Sequence, residues 1–331
     1  MRGLTKLASG PGNVALAERP EPSAAPGQVV LDVVAAGICG TDLHIHDGEY
    51  PAVPPVTMGH EVSGTVAELG DGVDPSWLGA SVVTETYFST CGECDWCRAG
   101  RPNLCPDRRS IGTHVDGGFA PRLLVPVTNL HRIPERLDAH AAAMAEPLAC
   151  CCHALLDPDR VGKGDRALVV GPGPIGLLAA QVARASGGRV HVRGTPRDAA
   201  RLDLAGALGV ATSTTDYAAP GEFDVVVECS GHPAGMAFAL ESAARGGRYV
   251  QIGLAGKPVL LPFDLVCFKE LTVTSGFAST PTSWARALEL MESRQVELEP
   301  LLSDAVPLEE WERAFAATRA GAGTKYVLVP T

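Results

Sequence analysis

The chain has 331 residues, 46% of them hydrophobic and 20% charged, which is the balance of an ordinary folded protein and leaves length for two domains. A formal net charge of −11 excludes a nucleic-acid binder and a partner of anionic membranes, because both surfaces demand clustered Lys and Arg. Met1–Pro20 has no continuous apolar stretch of the kind a signal peptide needs, and five Gly and Pro residues break the longest uncharged run, Ala167–Ala183. The expected location is cytoplasmic, where ten cysteines stay reduced and clustered ones read as metal ligands before disulfides.

The first half carries short β-like runs, Gln28–Ala35, Glu61–Leu69 and Ser81–Thr86, parted by turn signals such as Gly70-Asp71-Gly72. From about Leu155 the rhythm changes to alternating strands and helices. Strands are expected at Arg166–Val170, Arg189–Arg193, Asp224–Glu228, Arg248–Ile252 and Leu271–Ser275. Helices are expected at Ile175–Ser186, Asp198–Leu208 and Ala234–Ala244. That alternation predicts an α/β doubly wound parallel sheet. Helices near Ser283–Ser293 and Leu308–Arg319 and a strand at Tyr326–Val329 close the chain.

Cys91, Cys94, Cys97 and Cys105 form C-x2-C-x2-C-x7-C, a spacing that lets four thiolates wrap one tetrahedral Zn²⁺. Similar spacings hold iron–sulfur clusters, and paired disulfides are the other competitor. With all four positions filled by protein, the zinc would be structural.

Three separated pieces offer an open metal site: Cys39 in Gly37–His44, His60-Glu61, and Glu146 in Ala145-Glu146-Pro147-Leu148. Alone, each is more often a core residue than a ligand. Farther on, Gly171-Pro172-Gly173-Pro174-Ile175-Gly176 satisfies G-x-G-x-x-G between a strand and a helix, the context that a dinucleotide pyrophosphate site requires. An NAD site carries an acid about 20 residues beyond these glycines. Here Gly194 stands in that place, flanked by Arg193, Thr195 and Arg197, a set with room and charge for a 2′-phosphate. The reading is NADP(H) in preference to NAD(H), with Asp198 as the acid that would reverse it.

In this order, the pieces resemble the zinc-containing medium-chain alcohol dehydrogenase/reductase family over essentially the whole chain, nearest to its sorbitol- and threonine-dehydrogenase-like branch. The resemblance implies a GroES-like β-rich catalytic domain plus a doubly wound Rossmann domain, expected here as 1–152 and 153–278, with 279–331 returning to the catalytic domain. It implies Cys39, His60 and Glu61 as ligands of a catalytic zinc, with Glu146 as a further ligand or close partner and Cys150 as the alternative. Thr41 and His44 match the family's proton-relay positions, and Asp42 would orient a ligand imidazole.

The implied activity is hydride transfer between NADP(H) and a secondary alcohol, polyol, sugar-derived alcohol or amino alcohol, or the matching ketone. Thr41, His44, Tyr50, Phe88 and Glu146 are expected to line the substrate site. Sorbitol dehydrogenases carry an Arg-Tyr pair where this chain has Gly276-Phe277-Ala278-Ser279, which weakens a sorbitol assignment. Relatives form dimers or tetramers, so a homo-oligomer is expected. Two other readings stay open: a zinc-free ene or quinone reductase, and a non-catalytic protein on the same fold.

Overall fold

The computed structural model describes residues 1–214 and 220–330. They divide into two compact units: Met1–Glu146 with the returning segment from Leu302, and Pro147–Leu301.

The first unit is built on a seven-stranded sheet whose centre is the strand Gln28–Gly37. That strand pairs antiparallel with Glu61–Leu69 on one side, and with Arg122–Pro126 and Lys325–Val329 on the other. A strand flanked on both edges and covered on both faces calls for a near-continuous apolar run, and Val29, Val30, Leu31, Ala35 and Ala36 are fully buried. Leu31, Met58, Ile111, Phe119 and Leu123 share its core. The run expected as Ser81–Thr86 leaves the sheet at Thr84. Beyond it the Glu85 N–H bonds to Asn129 O, and Thr86 O accepts from Ile111 N–H, which turns the Thr86 hydroxyl toward Glu146.

The helix Gly40–Asp47 has no counterpart among the expected elements. Asp42 starts it by accepting the Cys39 N–H at 2.9 Å, and Gly48 ends it at φ 75°, the left-handed conformation that favours glycine.

The second unit is a six-stranded parallel sheet. In chain order its strands are Arg166–Val170, Arg189–Arg193, Ala211–Ser213, Phe223–Glu228, Ala243–Gln251 and Thr272–Ser275. Across the sheet they run third, second, first, fourth, fifth, sixth, the doubly wound order with its switch point beside the first strand. The long interior helix Pro174–Ala185 lies between the first two strands and buries Leu177, Leu178 and Val182.

The return to the first unit begins at Leu302, whereas the sequence suggested 279. Packing explains the difference. The helix Pro281–Glu292 buries Trp284, Ala287, Leu290 and Met291, and the Thr280 hydroxyl at its start bonds to Asp157 at 2.6 Å, so it belongs to the second unit. Only the later helix, Trp311–Ala320, packs in the first. The earlier division falls within the helix Ala145–Leu156 instead of after residue 152. Among the described residues no helix is long and apolar enough to cross a membrane.

Candidate active site

Cys39 sits where the central strand gives way to the helix Gly40–Asp47, and His60-Glu61 opens the neighbouring strand. Register aligns Gly37 with Glu61, so the two stretches meet where these neighbouring strands end. One ligand atom each from Cys39, His60 and Glu61 then falls within 4.8 Å of the others. Thiolate, imidazole and carboxylate are the donor types that Zn²⁺ takes at an open site.

Burial makes this cluster electrically tense. His60 and Glu61 are 7% and 1% exposed, and Asp42 is fully buried. Asp42 Oδ1 lies 3.7 Å from His60 Nδ1, too far for a hydrogen bond, and neither atom has a hydrogen-bond partner. Burial pushes the Asp42 carboxyl above its usual range. Burial also pulls the His60 ring down, but Asp42, Cys39 and Glu146 together outweigh it and hold it well above normal. The buried Asp42 Oδ1 and His60 Nδ1 atoms without partners, beside a thiol and carboxylates, fit a divalent ion held among these donors.

Two neighbours complete the cluster, and no motif or spacing marks either. Lys325 Nζ donates to both Glu61 oxygens, at 2.9 and 2.6 Å, and to Ile38 O at 3.0 Å. Thr86 Oγ1 donates to Glu146 Oε1 at 2.7 Å. Glu146 is buried and its charge acts on His60, yet neither it nor Cys150 is in the three-residue set. On the adjoining helix, Thr41 Oγ1 lies 3.7 Å from Cys39 Sγ, and His44 Nδ1 lies 2.7 Å from Glu49 Oε2. Tyr50 and Phe88 are partly buried at the edge of the first unit's core.

The four-cysteine loop is a separate cluster in the same unit. All four sulfurs lie within 4.8 Å of one another, with Cys91 Sγ 3.5 Å from Cys105 Sγ and 3.9 Å from Cys97 Sγ. A tetrahedron with bonds of about 2.3 Å has edges of about 3.8 Å, whereas a disulfide brings sulfurs to about 2.05 Å. The spacing therefore fits four thiolates around one ion. Backbone N–H groups of Glu93 and Cys94 already favour the Cys91 thiolate, lowering its pKa to about 7.

In the second unit two of the three motif glycines have a distinct steric reason. Gly171 has φ 97°, and a Cβ there would lie 2.8 Å from Ser230 N. A Cβ on Gly176 would lie 1.8 Å from Gly171 O, so this contact of helix and loop needs glycine. Gly173, by contrast, has no atom within 4 Å of its Cβ position, leaving an open face before the helix that starts at Pro174 and Ile175. Behind the loop the buried Glu228 carboxylate accepts from Ser230 N and Gln251 Nε2, both at 2.8 Å, and from Gly231 N at 3.1 Å. Nothing in the motif announced that support.

The end of the second strand sorts the remaining candidates. Thr195 donates its N–H and hydroxyl to Asp198 Oδ2 at 2.8 and 2.7 Å, and Arg201 stands 3.7 Å from Asp198 Oδ1. The nearest acid is thus occupied by its own helix start. Arg197 is exposed, whereas the Arg193 guanidinium stacks over Phe238, 3.5 Å from the ring centroid. Gly194 is buried, with a Cβ position 3.0 Å from Pro172 Cγ.

Comparison with known proteins agrees with both halves. Residues 25–135 match the alcohol dehydrogenase GroES-like domain, and residues 174–293 match the zinc-binding dehydrogenase domain. A sorbitol dehydrogenase of Halalkalibacterium halodurans is 37% identical, covering 100% of this chain and 99% of its own. An L-threonine 3-dehydrogenase of Bacillus velezensis is 36% identical over 95% of each chain. A zinc-binding dehydrogenase from Sinorhizobium meliloti, solved with NADP, superposes with a TM-score of 0.90 at 33% identity over 99% of each chain. The pairing of a GroES-like unit with a Rossmann unit and the full-length identity lead to one conclusion: the chain belongs to the zinc-containing medium-chain alcohol dehydrogenase/reductase family, in its sorbitol- and threonine-dehydrogenase-like branch, and is a dehydrogenase of that family.

Proposed function

We propose that this protein transfers a hydride between NADP(H) and a secondary alcohol, polyol or sugar-derived alcohol, with one catalytic and one structural zinc. The observation that carries the reading is the convergence of Cys39, His60 and Glu61 within 4.8 Å, beside the buried Asp42 Oδ1 and His60 Nδ1 atoms, which have no hydrogen-bond partner. Zinc bound by these donors supplies a Lewis acid that polarises the substrate oxygen.

The chain's own residues do the rest. Asp42 faces the His60 ring at 3.7 Å, close enough to draw its Nδ1–H by charge, and Lys325 keeps Glu61 in place. Glu146, held by Thr86, is the carboxylate in reserve beside the three donors. As hydride leaves the carbon, the Thr41 hydroxyl accepts the alcohol's proton while giving up its own, and His44 takes up that one and passes it to water. The sulfurs of Cys91, Cys94, Cys97 and Cys105 hold the second zinc.

For the cofactor, the open face at Gly173 and the N-terminus of the helix from Pro174 suit a pyrophosphate. NADP(H) is favoured because Gly194 replaces the ribose-binding acid, Asp198 is engaged by Thr195 and Arg201, and Arg197 is exposed at the surface, where it can meet a 2′-phosphate. Arg193, stacked on Phe238, is spent on packing.

Metal analysis tests the first part and should find about two zincs per chain. A panel of secondary alcohols and polyols with each cofactor, followed at the reduced-nicotinamide absorbance band, tests the rest. No turnover with any alcohol in fully zinc-loaded protein would overturn the assignment.

A further inference from the structure

The turn after the helix Gly40–Asp47 folds back on the helix. Gly48 reverses the chain in the left-handed region, and the Glu49 and Tyr50 N–H groups then donate to His44 O at 2.8 and 3.2 Å. This return delivers the Glu49 carboxylate to the His44 ring, with Oε2 2.7 Å from Nδ1. The turn has no slack: a Cβ on Gly48 would stand 2.7 Å from Gly10 C and 2.8 Å from Pro11 N. Lys6 pins that opposing loop by donating to the Gly10, Gly12 and His46 carbonyls.

Two cations lie near Glu49, and both have other partners. The Arg319 guanidinium bonds both Asp47 oxygens at 2.6 Å, and the Lys6 ammonium is taken by the three carbonyls. Among the described residues His44 is therefore the side chain that hydrogen-bonds the Glu49 carboxylate. It also lines a cleft with Lys6, Tyr50 and Pro51, and its side chain is 47% exposed against 26% for His44.

A carboxylate oxygen only accepts, so the nitrogen facing it must carry the hydrogen. We infer that Glu49 is a positioning residue: it fixes His44 as the Nδ1–H tautomer, so that Nε2 is the nitrogen that receives the proton. The inference rests on the relay role proposed for His44. During oxidation the alcohol loses a hydride to the nicotinamide and a proton from its hydroxyl. Relayed through the Thr41 hydroxyl, a proton forms an N–H bond at Nε2, which breaks again as the proton passes to water, while Nδ1–H stays intact. Reduction of the ketone runs the same bond changes inward.

The test uses full-length protein with ¹⁵N-labelled histidine. The His44 signals are identified by their loss in His44→Ala, and the ring shifts are read at neutral pH. The parent and Glu49→Gln should show Nδ1–H, because the Gln amide oxygen accepts the same hydrogen. Glu49→Ala should lose that preference and about tenfold in kcat at unchanged KM for the alcohol, with imidazole buffer restoring part of the rate. Nε2–H in the parent, or unchanged tautomer and kcat in Glu49→Ala, overturns the proposal. A normal kcat in His44→Ala instead removes the relay itself, and the tautomer readout decides the Glu49 pairing separately.

Discussion

Lys325 Nζ and the Glu61 carboxylate form a pair 2.6 Å apart whose side chains are 3% and 1% exposed. Gly37 makes room for it: a Cβ there would fall 2.1 Å from Glu61 Oε2. The strand from Lys325 thus reaches across the central strand to steady a candidate zinc ligand. Removing one partner of a buried pair leaves the other charge uncompensated, at a cost of about 3–5 kcal/mol. Lys325→Met should lower the stability of metal-free protein by about that much, and Lys325→Arg by less. Denaturant unfolding measures it, and a loss below about 1 kcal/mol would show that the pair does not anchor Glu61.

Gly37→Ala attacks the same carboxylate sterically. Zinc should fall from about two to about one per chain, because the four-cysteine site does not touch Gly37. Elemental analysis after dialysis reads the count. Retention of both ions would mean that Glu61 is dispensable as a ligand.

The motif glycines separate binding from folding. Gly173→Ala meets no protein atom within 4 Å, so the melting temperature should hold while the cofactor Kd rises at least about tenfold. Gly176→Ala, with its Cβ 1.8 Å from Gly171 O, should lower both affinity and stability. Calorimetry and thermal melts of the two variants form the comparison, and equal effects from both would break the argument.

Arg197→Ala should raise KM for NADP about tenfold or more and leave KM for NAD unchanged, since a charge-assisted bond to phosphate contributes about 1.5–3 kcal/mol. This variant probes the preference better than Gly194→Asp, whose Cβ would press on Pro172 at 3.0 Å and on Asp198 at 3.1 Å. A parent with equal kcat/KM for both cofactors removes the preference altogether.

Thiol chemistry should follow backbone hydrogen bonding at Cys91 and burial at Cys152. In chelator-treated protein Cys91, with a pKa of about 7, should be alkylated first near neutral pH. Cys152, pushed up to about 12 by burial, should stay inert. Zinc should protect Cys91, and mass spectrometry of the labelled peptides decides; prior labelling of Cys152 would contradict its full burial.

The acid limb of stability has an assignable contributor. Arg319 beside Asp47 holds that carboxyl at about 2, below its usual 3.8. A depressed carboxyl stabilises fully above its unfolded pKa, so this contribution is present above pH about 4 and fades as pH falls toward about 2. Asp47→Asn should flatten that part of the pH–stability curve, and an unchanged acid limb would refute the assignment.

By itself the sequence determined what rests on neighbours in the chain. The strands Arg166–Val170 and Arg189–Arg193 stand where the apolar runs put them, because period and turn residues are local properties. The four-cysteine loop is likewise local: backbone N–H groups of Cys94 and Cys97 point at the sulfurs of Cys91 and Cys94, each three residues back. Tertiary structure alone decided the contacts between distant stretches. Lys325 meets Glu61 from 264 residues away and Thr86 meets Glu146 from 60 away, and no periodicity encodes such meetings. It also turned Arg193 onto Phe238, and it kept the helix Pro281–Glu292 in the second unit, because burying Trp284 there outweighs sequence order. The reason is physical: local pattern fixes backbone conformation, whereas the partner of a buried charge or ring is fixed by which surfaces exclude water together.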